Sequence, residues 1–91
     1  MFMARVVGNV EARIRLPGFE SQKLLVLQPV DFKGNPIRWT TIALDITGAG
    51  VGSLVAYVEG REAANPFEEQ SLPVDACVVA IVDEVRYHPP A

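Results

Sequence analysis

An all-β fold with at most one short helical turn is what this 91-residue sequence predicts, on three observations. Several segments alternate apolar and polar residues with the two-residue period of a half-buried strand. Valine, isoleucine, threonine and aromatic residues, which fit a pleated surface, concentrate in those segments. No stretch repeats apolar residues at the three-and-four spacing of an amphipathic helix.

The first strand is predicted over Met3–Leu16. Val10, Ala12, Ile14 and Leu16 share one face, Glu11, Arg13 and Arg15 the other, and Gly8 marks a bend or bulge. Pro17 and Gly18 end it. A second strand, Lys23–Val30, is closed by Lys33-Gly34-Asn35-Pro36, a run with strong turn chemistry. The third, Arg38–Ile46, is rich in β-branched residues. In the fourth, Leu54–Val58, alternation sets Leu54, Ala56 and Val58 against Val55, Tyr57 and, just beyond, Glu59. The segment from Arg61 to Pro73 has little periodicity and room for one helical turn at Arg61–Ala64. The fifth strand is read in "VDACVVAIVDEVRY" (Val74–Tyr87), whose centre is apolar on both faces and is therefore expected to be buried on both. Residues 86–91 grade into a tail whose prolines cannot pair in a sheet. Five strands with short connections in under a hundred residues point to one domain, 1–91. Closure removes edge strands, so the expected architecture is a small five-stranded barrel of oligonucleotide-binding type.

A chain this short buries a limited core, yet 49% of its residues are apolar. Oligomerisation is thus an expected source of additional buried surface. Eleven acids against eight scattered bases give a net charge of −3, and no basic patch invites a polyanion. Cys77, the one cysteine, has no internal disulfide partner, and the N-terminus lacks the long apolar core of a secretory signal, so a cytoplasmic location is expected. No apolar run approaches the ~20 residues of a membrane-spanning helix, and no membrane partner is expected.

The chemistry-bearing residues are sparse. His88, the only histidine, lies in the tail beside two prolines, with no second histidine to share a metal and no frame for acid-base work. Cys77 sits in the most apolar strand, where a thiol packs as a small hydrophobe. Asp31, Asp45, Asp75, Asp83 and Glu84 stand at strand ends, where acids usually form turns. No catalytic residue, metal or cofactor is assigned. Nucleic-acid binding on such a barrel needs aromatic platforms on successive strands in a positive groove. Here Phe2, Phe19, Phe32, Trp39, Tyr57, Phe67 and Tyr87 fall mostly at strand ends and loops of an acidic chain. Trp39 with Arg38 is the best residual candidate, and reads as readily as an anchor between subunits.

Gly48, Gly50 and Gly52 form a G-x-G-x-G triplet in "DITGAGVGSLV". A dinucleotide loop must open a helix whose first-turn amides hold the phosphate, whereas "SLVAYVEG" reads as a strand. The triplet is therefore expected to shape the backbone.

Four blocks, "ARVVGNV", "KLLVLQPVD", "ALDITGAGVG" and "PVDACVVAIVDEV", resemble in order and spacing the signature blocks of the bacterial microcompartment vertex proteins, the EutN/CcmL family, over Ala4–Val85. The resemblance implies a non-enzymatic shell protein with a five-stranded barrel. It implies a homopentamer that caps fivefold vertices beside hexameric and trimeric shell proteins, within the cytoplasm. Gly48, Ala49 and Gly50 correspond to the family's glycine-rich loop, which makes Gly48, Ala49, Gly50 and Gly52 candidates for an axial loop, pore edge or subunit contact. A variant in which the loop amides face passing anions stays open. Ser53 stands where a glutamate is common in the family, and Arg61, Glu62, Ala63 and Ala64 replace a small, hydroxyl-rich segment; both depart from the pattern. The alternative reading is a small oligomeric barrel that binds nucleic acid or a small ligand.

Overall fold

The computed structural model describes residues 1–10, 23–60, 75–88 and 90. Five strands, β1 (Phe2–Val10), β2 (Lys23–Pro29), β3 (Thr41–Asp45), β4 (Leu54–Glu59) and β5 (Ala76–Ile81), close into a barrel in the order β1-β2-β3-β5-β4. All neighbours are antiparallel except β3 and β5, which run parallel through Leu44↔Cys77 and Asp45↔Val78. The expected all-β barrel is thus the fold observed.

Alternation builds the interior. Ala4 and Val6, Leu25 and Leu27, Ala43, Val55 and Tyr57, and Ala76 and Val78 point inward and form one buried cluster, with Ala49 added from a loop. Burial of these side chains removes their apolar surface from water, the main favourable term in folding. The β1–β2 register shifts between Val6 and Gly8, so the glycine sits at a bulge as its position in the sequence predicted.

The bounds of two strands and the burial patterns of two differ from expectation. The third strand begins at Thr41, because the chain before it serves other contacts: the Ile37 amide bonds to the Pro29 carbonyl, and the Arg38 carbonyl accepts from Gln28 Nε2. Strand β5 is shorter than Val74–Tyr87. After Ile81 one more ladder bond, Val82 N–H to Leu54 carbonyl, precedes departure, and Tyr87 ends against Phe32 with ring centroids 5.2 Å apart. Burial on both faces holds for Ala76, Cys77 and Val78 but fails at Ala80 and Ile81, which are exposed. Only the first half of β5 has β3 on one side and β4 on the other. Conversely β4 is buried on both faces from Val55 to Val58, where alternation alone predicted one. The extension of the first strand through Ala12, Ile14 and Leu16, and the helical turn at Arg61–Ala64, lie outside the described residues.

The turn after β2 follows its sequence. Asp31 Oδ1 accepts from the amides of Lys33 and Asn35, both at 2.9 Å, and Gly34 adopts the left-handed conformation at φ 88°. The Asn35 amide, aided by that of Lys33, holds the Asp31 carboxyl below its ordinary range.

Candidate functional site

The glycine loop joins β3 to β4 and is tied down at both ends. Asp45, the last residue of β3, turns its side chain inward, where it is fully buried. Its Oδ1 accepts from the Thr47 amide (2.9 Å) and hydroxyl (2.6 Å), and its Oδ2 from the Gly48 amide (3.1 Å). This is an Asx turn, the conformation an aspartate favours after a strand. Lys23, opposite Asp45 in the β2–β3 register, places Nζ 3.7 Å from Asp45 Oδ2 and donates to the Ala49 carbonyl. The methyl of Ala49 is buried in the core cluster.

Beyond Ala49 the chain reverses. The Ser53 amide bonds to the Gly50 carbonyl at 3.0 Å, and Gly52, third residue of that turn, has φ 93°. A turn with a left-handed third residue takes glycine there. The far end is laced to β1: the Gly52 amide bonds to the Val6 carbonyl (2.8 Å), the Val6 amide to the Ser53 carbonyl (2.9 Å), and Arg5 Nη1 to the Gly52 carbonyl (3.0 Å). Gly50, Val51 and Gly52 at the tip are exposed, whereas Ala49 is buried.

This geometry distinguishes the glycines. Gly48 (φ 81°) and Gly52 occupy the left-handed region, where a Cβ is strained. Gly50 does not, and a Cβ built there meets nothing within 4 Å in its own chain. Positive φ thus falls at the first and third glycines of the triplet and not at the middle one. Nor does the loop open a helix, as a dinucleotide cradle must. The amides of Thr47, Gly48, Gly50, Gly52 and Ser53 donate to acceptors within the chain, and a strand follows instead of a helix.

A second cluster lies around Arg38. Its Nη2 donates to the Tyr57 hydroxyl at 2.7 Å and to Glu59 Oε1 at 2.8 Å, and its guanidinium carbon stands 4.7 Å from the Phe2 ring centroid. Phe2 and Tyr57 pack with centroids 5.5 Å apart. Burial pushes the Tyr57 hydroxyl above its ordinary value, against the opposing pull of Arg38. Trp39, next in sequence, is 88% exposed. Phe2, Met3, Val30, Phe32 and Ile37 line an open apolar groove of roughly 440 Å³ close by, and Ile42, Ile46 and Val51 add further exposed apolar side chains.

Among the described residues the aromatics do not assemble the stacking surface that nucleic-acid binding needs, and Phe19 and Phe67 lie outside those residues. Tyr57 is core, Phe2 packs on it, Phe32 packs on Tyr87, and Trp39 stands apart among the described residues. Cys77 is buried, and burial together with the Asp45 charge pushes its thiol upward, as befits a core side chain. Lys23, Thr47, Tyr57 and Glu59 are the residues that sequence reasoning missed. For Lys23 the signal was available, since opposite charges at facing ends of adjacent strands, here Lys23 and Asp45, suggest a cross-strand pair.

The family model described as ethanolamine utilisation protein EutN/carboxysome matches residues 1–83. The chain is 39% identical over 85 residues to the bacterial microcompartment shell vertex protein EutN of Escherichia coli K12, covering 93% of this chain and 90% of that protein. To the carboxysome shell vertex protein CcmL of Synechococcus elongatus it is 36% identical over 86 residues, covering 94% and 87%. The solved structure of GrpN, a pentameric microcompartment shell protein from Rhodospirillum rubrum, superposes with a TM-score of 0.84 at 30% identity, covering 98% of this chain and all of that one.

Proposed function

The chain belongs to the EutN/CcmL family, and from that premise we propose that it is a structural, non-enzymatic shell protein whose homopentamer closes the fivefold vertices of a bacterial microcompartment in the cytoplasm. The observation that carries this reading is likeness along almost the whole chain, in sequence and in barrel, to proteins named as shell vertex proteins and to a pentameric one. Physical features support it. Exposed apolar side chains such as Phe32, Ile37, Trp39, Ile42 and Val51 exceed what a small acidic monomer needs in water, and permanent oligomers bury such surface.

A ring of five requires head-to-tail contacts, so each subunit presents two different surfaces to its neighbours. The loop of Gly48, Ala49, Gly50 and Gly52 serves one of them at or near the axis, with open space beside the Gly50 Cα for close approach by another chain. Arg38 and Trp39 belong to the other, where an exposed indole beside a fixed guanidinium makes an anchor. Hexameric and trimeric shell proteins meet the outer edge. Native mass spectrometry tests the ring directly: a species of five chains is expected at micromolar concentration, and a monomer there would remove the premise of vertex capping. The rival nucleic-acid reading predicts salt-sensitive binding of single strands instead.

A further inference from the structure

The geometry points to Lys23 as the residue that positions the glycine loop for subunit contact, an inference that rests on the loop's proposed place in the ring. Two acceptors converge on its ammonium. One is Asp45 Oδ2 at 3.7 Å, and the other is the carbonyl of Ala49, four residues further along the loop. The carboxylate is fully buried while the Lys23 side chain is 46% exposed. Lys23 is thus the solvent-facing half of a clamp whose other half is inaccessible. Asp45 alone orders Thr47 and Gly48. It makes no bond to Ala49 or beyond, so the Ala49 carbonyl, just before the loop reverses, is held by Lys23.

Removing the ammonium has two consequences. The Asp45 charge is left with amide and hydroxyl donors but no countercharge, and a buried carboxylate in that position is destabilising. The Ala49 carbonyl also loses its donor, so the segment from Ala49 to Val51 is no longer tied to β2. The far end remains laced to β1 through Gly52 and Ser53. The barrel ladders do not pass through the Lys23 side chain, so the barrel persists while the tip gains freedom. A contact that must be made by five tips in register then pays an ordering entropy that the clamped loop had already met.

The test compares Lys23→Met, which keeps the stem and removes charge and donors, with Lys23→Arg, which keeps the charge. A third variant, Lys23→Met with Asp45→Asn, removes the clamp without stranding a buried charge and serves if the first does not fold. The readouts are amide hydrogen exchange across residues 46–53 and the chain concentration at which native mass spectrometry finds half the chains in rings. Lys23→Met, or the double variant compared with Asp45→Asn alone, is expected to raise exchange in that segment alone, leave strand protection unchanged and raise the half-ring concentration about tenfold or more. Lys23→Arg is expected to stay within about threefold of wild type. Unchanged loop exchange would overturn the clamp. Faster loop exchange with an unchanged ring would overturn the link from clamp to assembly, and exchange raised uniformly over all strands would reduce Lys23 to a general stabiliser. A wild-type chain that forms no ring would instead refute the functional reading, leaving the loop-exchange result to judge the clamp by itself.

Discussion

Arg38 Nη2 lies 2.7 Å from the Tyr57 hydroxyl and so joins the connection before β3 to the centre of β4. One partner is core and the other reaches solvent, which divides the two energetically. Tyr57→Phe keeps the buried ring and deletes only the acceptor. It should cost roughly 0.5 to 1 kcal/mol, the low end for a hydrogen bond whose partner can turn to water or to Glu59. Tyr57→Ala empties a fully buried site and should cost about 3 to 5 kcal/mol. Urea unfolding followed by circular dichroism measures both. Equal losses in the two variants would mean that the hydroxyl, not the ring, carries the contribution.

The glycine loop gives a three-way contrast. Gly48→Ala and Gly52→Ala place a Cβ at left-handed φ and should each cost about 1 to 2 kcal/mol of chain stability. Gly50→Val should leave chain stability nearly unchanged, since a Cβ there meets nothing in its own chain, but should weaken the ring if the loops approach one another. Thermal unfolding separates the first pair from the third, and native mass spectrometry reads the ring. A Gly50→Val ring as robust as wild type would place the loop tip on free surface.

Much of this was legible in the sequence, and the exceptions share a cause. Alternation, β-branched content and apolar runs bounded by turn residues together located the five strands, Gly8 marked its bulge, and Asp31 and Asp45 behaved as strand-end turn formers. The parallel meeting of β3 with β5 left no local trace, because pairing between strands distant in sequence is set by barrel closure. For the same reason the exposure of Ala80 and Ile81 was hidden: an apolar run reads alike whether it has one neighbour or two. Arg38 looked like the start of a strand because its β-branched neighbours dominate the window, and its contacts with Tyr57, Glu59 and Phe2 exist only once β1 and β4 are adjacent. In the glycine loop the turn was visible, but which of three glycines takes positive φ depends on where the turn reverses.

Alkaline pH should destabilise the chain in two stages. Cys77 and Tyr57 both have folded-state pKa values raised above their ordinary 9.0 and 10.0 by burial, so the folded state holds these protons where the unfolded state has lost them. Their contribution is complete below the unfolded values and is lost as pH rises from there through the folded ones. Stability should therefore fall from about pH 9 upward. Cys77→Ala should abolish the first part of that slope, whatever its effect at neutral pH, as measured by unfolding free energy against pH. A variant with the wild-type slope between pH 9 and 10 would exclude the thiol.

Trp39 is too exposed to stabilise its own subunit. Trp39→Ala should change chain stability by less than about 0.5 kcal/mol. As a subunit anchor its loss should raise the half-ring concentration by about tenfold or more. Dilution series read by native mass spectrometry decide. Wild-type ring stability in this variant would remove Trp39 from the subunit interface.

The central claim is vertex closure, and it is tested by assembling shells with and without this chain. Hexagonal tiles alone make flat or rolled sheets, and a closed polyhedron with threefold joints requires fivefold units, which is geometry independent of chemistry. Cognate hexameric and trimeric shell proteins should give tubes, sheets or shells open at the vertices when this chain is absent, and sealed polyhedra when it is added. Cryo-electron microscopy of the sealed particles should then place its density at the fivefold positions. Density for the chain in the facets or the lumen, or fully capped shells formed without it and without any other vertex protein, would contradict the account.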